Sequence, residues 1–348
     1  MKPTTIAIVH HDTMGLAHDA RVLTAALKAT FINPIICRVV IPKPLADDYS
    51  KAFDIPPEVT HATPFDFMFL LEHAHSNPPF SVDAFARYRI YVPNIEWLNS
   101  LDEIAIGSMR LDMVMLKNKF SFDVFSALPL AKSVARIEQI GWTSEDVADE
   151  RLGMGEKDFN QFLHVRGVSM QKQTEIVMET WAKHPEFPLL TIVMRFFGGF
   201  ELSEPLRYAS NVRVFLQEMP PAHLRRLQNR IGIHVCPSKL EGFGHSLNEA
   251  RAASGILVTT DGPPMNEFVT HGENGFLVPV HASDVSAAGR SLQFNITSDR
   301  LAEQIDQLLS LPDSRRRAMG GLSRQKYQSE RDRFHTNLSR WRDSVRAK

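Results

Sequence analysis

Short apolar runs alternate with amphipathic stretches along most of the chain. The first half contains β-type runs at residues 6–9, 32–41, 67–71, 89–92, 112–116 and 133–137, with a helical pattern at 17–29. The second half repeats this alternation, with β-type runs at 162–165, 189–194, 212–215, 231–236 and 256–259 and helical patterns at 173–183, near Leu224 and from His245. Strands separated by helical connections are typical of parallel sheets covered on both faces. The pattern therefore predicts an α/β protein with two doubly wound sheets in tandem.

Two stretches interrupt the alternation. Residues 42–64 are rich in proline and weakly periodic, which indicates an irregular insertion. Residues 141–160 are polar, contain glycine and lose periodicity, so we expect the domain boundary there. The predicted domains are residues 1–150 and 151–312, followed by C-terminal helices at 313–348. Two doubly wound domains normally face each other across a cleft and bind ligands at the carboxyl ends of their strands.

Composition narrows the class of protein. The chain has 348 residues, 43% of them hydrophobic, which is enough for about two domains with a core each. A formal net charge of -1 gives no global field for nucleic acid, and no nucleic-acid partner is expected. The apolar run near the N-terminus is too short for a signal peptide, and none reaches the roughly 18 residues of a membrane span. Cys37 and Cys236 lie in apolar segments, as buried thiols do. We expect a cytoplasmic protein.

The charge is concentrated at the C-terminal end. Residues 313–348 carry eleven Lys or Arg against four Asp or Glu. Five apolar residues fall near one face of a helix in this tail: Tyr327, Phe334, Leu338, Trp341 and Val345. We expect a helix docked on the body with a solvated basic face. A weak peripheral contact with the inner face of a membrane, through that basic tail, stays open as the alternative.

Residues 237–250, with the sequence PSKLEGFGHSLNEA, carry the strongest chemical pattern. A buried strand ends there in a turn, and a helix begins. Gly242 and Gly244 let the backbone approach a ligand, and the N–H groups at the start of the helix form a site for a phosphate or a sugar hydroxyl. Glu241 precedes the turn and Glu249 lies about one helical turn past it, so both carboxylates can accept hydroxyl groups in one pocket. From the residues alone, a simple strand-to-helix turn with solvated glutamates fits this pattern as well as a ligand site does.

Together with residues 252–255, 261–267 and 274–278, this stretch resembles the donor-site motifs of family 4 retaining glycosyltransferases of the GT-B fold. The resemblance covers about forty contiguous residues in the family's order. It implies two Rossmann-like domains, an N-terminal one for the acceptor and a C-terminal one for the nucleotide sugar, with the last helices crossing back to the first domain. It also implies sugar transfer to an acceptor hydroxyl with retention of anomeric configuration. No DxD carboxylate pair occurs, so neither a metal nor another cofactor is expected.

The resemblance also assigns roles in the second domain. The residue matching Glu249 holds the ribose hydroxyls, the one matching Glu241 contacts the transferred sugar, and the backbone around Gly242, Phe243, Gly244 and His245 contacts the sugar and diphosphate. Arg166 and Lys172 are the candidates for stabilising the charge of the diphosphate. This chain departs from the family pattern there, because Arg166 precedes the glycine, Lys172 follows Arg166 by six residues, and Gln173 replaces the usual glycine.

In the first domain, the candidates follow predicted strands. Gly15 is the only glycine in a loop where the family usually has two, and it is expected to let the loop approach the donor diphosphate. Four strand-end residues are candidates for the acceptor: His11, Asp12, Asn94 and Glu96. Lys117 and Lys119 occupy equivalent positions. A purely structural role stays open for each of them.

Two other functions stay open beside the transferase. One is a non-catalytic subunit that binds a nucleotide sugar, indicated by the altered spacing at Arg166 and the single loop glycine. The other is an epimerase or hydrolase on the same fold. The chain has no GxSxG, CxxC or GxxxxGK[ST] motif, so serine hydrolase, dithiol redox and P-loop chemistry have no support. A UDP-sugar is the expected donor, and the acceptor is a glycan, a lipid-linked molecule or a small molecule.

Overall fold

The computed structural model describes residues 3–41, 64–73, 86–98, 100–108, 110–152, 156–167, 169–195, 209–285 and 292–346. These residues divide into two compact units. The first unit contains the described residues up to Thr143 and those from Arg331 onward. The second unit contains those from Ser144 to 285 and from Leu292 to Glu330. The predicted insertion at 42–64 lies outside the described residues, except for Pro64.

The first unit is built on a parallel six-stranded sheet. Its strands are β1 (Thr5–His11), β2 (Ile35–Ile41), β3 (Phe65–Leu71), β4 (Ala86–Val92), β5 (Met113–Leu116) and β6 (Ile137–Gln139). Its helices include α1 (Met14–Thr30), α2 (Ser100–Ser108) and α3 (Lys119–Ala127). The strand order is β2-β1-β3-β4-β5-β6, and every neighbouring pair is parallel. The order reverses between β1 and β3, which is where open α/β sheets bind ligands.

The second unit contains another parallel six-stranded sheet. Its strands are β7 (Asp158–Gly167), β8 (Leu190–Met194), β9 (Val212–Phe215), β10 (Ile231–Cys236), β11 (Ile256–Thr260) and β12 (Gly275–Val278). Its helices include α4 (Thr174–Lys183), α5 (Pro221–Arg230), α6 (His245–Ala252) and α7 (Ser298–Leu309). The order β12-β11-β10-β7-β8-β9 is that of a Rossmann sheet, with the reversal between β7 and β10. A small antiparallel hairpin pairs β13 (Ala282–Val285) with β14 (Leu292–Asn295).

The predicted α/β class with two parallel sheets is confirmed. The boundaries of several elements were wrong, for local reasons. The second strand begins at Ile35 rather than residue 32, because Asn33 adopts a left-handed turn with φ 46°. Residues 133–137 are not a strand: Pro129–Ser133 form a 3-10 helix and β6 starts only at Ile137. β7 starts at Asp158, inside the polar stretch, because buried Phe159 alternates there with exposed polar neighbours.

Two glycines of the motifs described above, Gly255 and Gly275, allow close packing. A Cβ atom at Gly255 would lie 2.7 Å from the His234 side chain, and one at Gly275 would lie 2.3 Å from the Leu257 carbonyl oxygen. Carbon atoms do not pack that closely. These positions therefore require glycine so that α6 and β12 can pack against their neighbouring strands.

The long helix α8 (Asp313–Arg346) buries the apolar stripe expected in the tail. Tyr327, Phe334, Leu338 and Trp341 are each at most 1% exposed, while Val345 is only partly buried. In the first unit, the Trp341 ring lies 5.3–6.4 Å from four aromatic rings, those of Phe31, Phe67, Phe69 and Tyr88. Within the described part of the chain, no helix has the length and apolar character needed to cross a membrane.

We expect Trp341→Ala to destabilise the protein by about 3–5 kcal/mol, because it leaves a cavity among four aromatic rings. Urea unfolding followed by circular dichroism measures the loss. Trp97→Ala is the matched control, since that ring is 47% exposed and its removal should cost about 1 kcal/mol or less. Equal losses in the two variants would contradict this account of α8.

Candidate functional site

The connection after β7 is held by one buried amide side chain. Gln173 adopts a left-handed conformation with φ 48°, where glycine is the usual residue. Its Nε2 donates to the carbonyl oxygens of Pro237 (2.7 Å) and Phe294 (3.1 Å), and its Oε1 accepts from the Ile296 N–H (3.1 Å). The departure from the family's glycine is therefore compensated, because the side chain ties this loop to the end of β10 and to β14.

Lys172 and Glu241, predicted separately, lie side by side. The Lys172 Nζ forms an ion pair with Glu241 Oε1 and lies 3.0 Å from Ser246 Oγ. Ser238 Oγ also donates to Glu241 Oε1, at 2.6 Å. The two charged side chains are only 11% and 13% exposed. A buried cation and carboxylate thus meet where the strand order reverses between β7 and β10.

The EGFG turn leads directly into α6. Gly244 is the N-cap residue with φ 89°, and no side chain caps the helix. An uncapped helix start favours an anion or a hydroxyl oxygen near its first N–H groups. The Phe243 ring is buried and packs edge-on against His245 (5.5 Å) and Phe268 (5.6 Å), so only its backbone is available for the predicted ligand contact.

Helix α6 is fixed at its other end by a buried guanidinium. Arg251 is 0% exposed and donates through two nitrogens to the two carboxylate oxygens of Glu330 on α8, both at 2.7 Å. It also donates to Asn248 Oδ1 at 2.8 Å. A two-point contact of this kind holds the helix rigidly. The residues at the start of α6 are therefore presented from a fixed support.

Glu249 points its carboxylate into a largely desolvated position. Gln228 Nε2 donates to Glu249 Oε2 at 2.9 Å. Burial raises the pKa of Glu249 above its usual value, while the charge of His245 and the hydrogen bond from Gln228 oppose the rise. His245 Nδ1 lies 2.9 Å from Ser144 Oγ, which orients the ring at the first position of α6.

Arg166 and His164 both lie buried at the end of β7. The Arg166 Nε donates to the Ser169 carbonyl oxygen at 3.2 Å, and its Nη2 lies 2.6 Å from Met170 Sδ, both in its own loop. His164 was not predicted as a site residue. Its ring nitrogens lie 2.7 Å from the Val235 carbonyl oxygen and 2.8 Å from Thr174 Oγ1, and burial lowers its pKa to about 4. His164 therefore connects β7, β10 and α4 as a neutral ring.

In the first unit, the predicted residues lie at the end of β1 and in the turn after β4. His11 packs edge-on against the His73 ring at 5.3 Å, while Asp12 is exposed. Gly15 lies in the first turn of α1, and a Cβ there would meet nothing within 4 Å. Glu96 is buried in a 3-10 helix that follows β4.

Asn94 and Lys117 belong to a buried polar network. The Lys117 Nζ donates to Asp19 Oδ2 (2.6 Å) and to Asn94 Oδ1 (2.7 Å), and the Asn94 Nδ2 donates to Glu72 Oε2 (2.8 Å). Lys119, by contrast, pairs with Asp123 on the exposed face of α3. The structure thus gives Lys117 two buried hydrogen-bond acceptors and leaves Lys119 on the surface.

Sequence reasoning missed the residues that extend this network after β3. Glu72 adopts φ 70°, and the Tyr91 hydroxyl donates to its carbonyl oxygen at 2.7 Å. His73 Nδ1 lies 3.2 Å from Asp102 Oδ2. Burial lowers the pKa of His73, but the Asp102 and Glu72 carboxylates outweigh burial and raise it overall. Burial raises the pKa of Glu72. The signal was available, since a Glu-His pair follows the apolar run of β3 as His11 follows the apolar run of β1.

Across the described ranges, no group of three His, Cys, Asp or Glu side chains is placed to hold a metal ion.

Residues 157–321 match the family model described as glycosyl transferases group 1. This segment is therefore similar to group 1 glycosyltransferases. The match contains the Lys172–Glu241 pair, the EGFG turn and Glu249. No curated protein matches the chain.

Several solved structures resemble this chain in fold. Sucrose-phosphate synthase from Thermosynechococcus elongatus has a TM-score of 0.67 at 13% identity, with 99% of each chain covered. Anabaena HepE in complex with UDP and glucose has a TM-score of 0.64 at 14% identity, also with 99% of each chain covered. The pneumococcal O-GlcNAc transferase GtfA, in complex with UDP and GlcNAc, has a TM-score of 0.60 at 17% identity. The chain spans 56% of GtfA, which covers 80% of this chain. The predicted GT-B fold is confirmed.

Variants of Gln173 test the buried amide. Gln173→Ala removes three hydrogen bonds and keeps a side chain at positive φ, so we expect a loss of about 2–4 kcal/mol in unfolding free energy. Gln173→Gly removes the same hydrogen bonds but relieves the backbone strain, and should be about 1 kcal/mol more stable than the alanine variant. Urea unfolding measures both. A glycine variant less stable than the alanine variant would show that the strain is unimportant.

Proposed function

We propose that the protein transfers a sugar from a nucleoside diphosphate sugar, with UDP as the nucleotide, to an acceptor hydroxyl, with retention of anomeric configuration and without a metal ion. One observation carries this proposal. Lys172 and Glu241, separated by 69 residues in sequence, meet beside the start of α6 at the reversal point of a Rossmann sheet. A cation, a carboxylate and a helix start are together suited to a diphosphate joined to a sugar.

The donor is assigned to the second unit. Glu249 accepts the ribose hydroxyls, and Glu241 orients the transferred sugar. The backbone N–H groups from Gly242 to His245 contact the sugar and the diphosphate. The match to the group 1 glycosyltransferase model, and the UDP complexes of two structures with the same fold, support this assignment.

Lys172 stabilises the leaving group. In the transfer step, the bond from the anomeric carbon to the diphosphate oxygen breaks and its electron pair stays on the diphosphate. The acceptor oxygen bonds to the anomeric carbon on the same face, and its proton passes to the departing phosphate oxygen. Charge on the diphosphate grows during this step, so a fixed cation accelerates it. Arg166, in the same loop, is the second candidate cation.

We assign acceptor recognition to the first unit, with His11, Asp12, Asn94 and Glu96 as its candidates and Gly15 leaving room for the diphosphate. The buried network behind Asn94 fixes the direction of its amide, which supports a hydrogen-bonding role. The acceptor is a glycan, a lipid-linked molecule or a small molecule. For a lipid-linked acceptor, the basic face of α8 provides a weak contact with an anionic membrane surface.

One observation favours a second candidate, a subunit that binds a nucleotide sugar without turning it over. Arg166 is 5% exposed and engages Ser169 and Met170 in its own loop. A guanidinium held in this way would contribute little to a growing charge on the diphosphate. Nucleotide binding without nucleotide release from the matching sugar donor, over a panel of acceptors, would favour this candidate.

A thermal-shift panel with UDP, GDP, ADP and CMP tests the donor site. We expect one diphosphate to raise the melting temperature of the wild type, because a ligand that binds only the folded state stabilises it. Glu249→Ala should lose that shift, since it lacks the acceptor for the ribose hydroxyls. Glu303→Ala, at an exposed carboxylate of α7, is the control and should keep it. Absence of a shift with all four nucleotides would contradict the proposed function.

Lys172→Ala tests the leaving-group role. We expect kcat for nucleotide release to fall at least about 100-fold, while the nucleotide dissociation constant changes less than about tenfold, because the cation acts mainly on charge that develops in the transition state. Lys183→Ala, at an α4 lysine paired with Glu179, is the matched control and should leave both unchanged. Equal losses in kcat and in binding would rule out a specific role in the transition state.

A further inference from the structure

Gln228 is a buried amide on α5 that none of the roles above uses. It lies in the last turn of the helix and is 4% exposed. Its side-chain Nε2 donates to Glu249 Oε2 at 2.9 Å, across to α6. Its backbone carbonyl oxygen accepts from the Lys157 Nζ at 2.9 Å. The side chain and the backbone of Gln228 therefore both form hydrogen bonds. The side chain bonds the Glu249 carboxylate, which is assigned to the ribose.

We infer that Gln228 is a positioning residue for nucleotide binding: its amide holds one oxygen of the Glu249 carboxylate, so that the carboxylate meets the two ribose hydroxyls in one fixed orientation. The inference rests on the proposed function, in which Glu249 binds the ribose. A carboxylate oxygen has two acceptor positions, so Oε2 can accept from Gln228 and still accept from a ligand.

The amide also controls the charge of Glu249. An N–H donor stabilises the ionised carboxylate and has no such effect on the protonated acid. Burial and the nearby Glu145 raise the pKa of Glu249, whereas His245, Gln228 and Lys172 lower it. Loss of the Gln228 donor therefore moves the pKa further up. A protonated Glu249 would accept fewer ribose hydroxyls, so nucleotide affinity should depend on Gln228 most strongly at low pH.

Gln228 is itself held from the opposite side. The Lys157 Nζ also donates to the Ile231 carbonyl oxygen (3.1 Å), and His234 Nε2 lies 3.2 Å from the carbonyl oxygens of both Gln228 and Ile231. Burial lowers the pKa of Lys157 to about 7 and that of His234 to about 3. These groups satisfy carbonyls at the C-terminal end of α5, which would otherwise lack partners. The last turn of α5 is therefore held in place, and the Gln228 amide is held with it.

Calorimetric titration with UDP at pH 5 to 8 tests the inference on Gln228→Leu. This variant keeps the volume and removes the donor. We expect the dissociation constant to rise about tenfold at pH 7, as for loss of a hydrogen bond to a charged group. The pH below which affinity falls should move upward relative to the wild type. With a UDP-sugar donor, KM should rise while kcat at saturation changes little.

Two further variants complete the test, one as a control and one with a second carboxylate. Gln304→Leu, at a buried glutamine of α7, is the matched control and should bind UDP as the wild type does. Gln228→Glu places a second carboxylate against Glu249, and the pair ionises fully only at higher pH. Its UDP affinity should therefore increase as the pH is lowered from 8 to 6, whereas the affinity of the wild type should decrease. If Gln228→Leu fails to fold, the pH dependence of UDP affinity in Gln228→Glu tests the inference instead.

The outcomes separate this inference from the proposed function. If Glu249→Ala loses UDP binding while Gln228→Leu keeps the wild-type affinity and pH profile, the positioning role is wrong and the donor site stands. The role is equally wrong if Gln228→Glu has the same pH trend as the wild type. If the wild type binds none of the four nucleotides, the proposed function fails and this inference fails with it.

Discussion

The buried side chain of Gln173 sets the geometry on which the proposed donor site depends. Its three hydrogen bonds join the loop after β7 to the end of β10 and to β14. They are worth about 1 kcal/mol each, against a cost of about 1–2 kcal/mol for a non-glycine residue at positive φ, so the arrangement is net favourable. The adjacent Lys172 is thereby held where Glu241 can pair with it. Without this tie, a flexible glycine at the same position would leave the direction of the lysine to the ligand.

Desolvation governs the chemistry of both units. A buried ion pair such as Lys172–Glu241 adds little net stability, because removing two charges from water costs about as much as their attraction returns. The pair is therefore better explained by the proposed contacts with the donor than by folding. The same burial raises the pKa of Glu249 and of Glu72 and lowers those of His164 and Lys157. Perturbed groups of this kind cluster where ligands bind.

The two units use the same feature of parallel sheets in different ways. In each, polar side chains gather where the strand order reverses, because neighbouring connections leave in opposite directions and open a crevice there. The second unit lines this place with glycines and a helix start, which suit a diphosphate. The first unit has a network of side chains on α1 and after β3, β4 and β5, which suits directional hydrogen bonds to hydroxyl groups: Asp19, Glu72, Asn94 and Lys117.

The sequence by itself determined the α/β class and the strand-turn-helix at residues 231–252, because hydrophobic periodicity and turn glycines report local structure. Glu241, Glu249 and Lys172 became candidates through the resemblance to a glycosyltransferase family. The sequence did not reveal that Lys172 meets Glu241, that Gln173 takes a left-handed conformation, or that Glu72 and His73 join Asn94. Only the tertiary structure decided these, since they depend on strand order and on residues 22 to 123 positions apart in the sequence. The contact of Gln228 was likewise not visible in the sequence, because a glutamine near the end of a polar helix is common. Only the tertiary structure brings its amide on α5 to the carboxylate of Glu249 on α6.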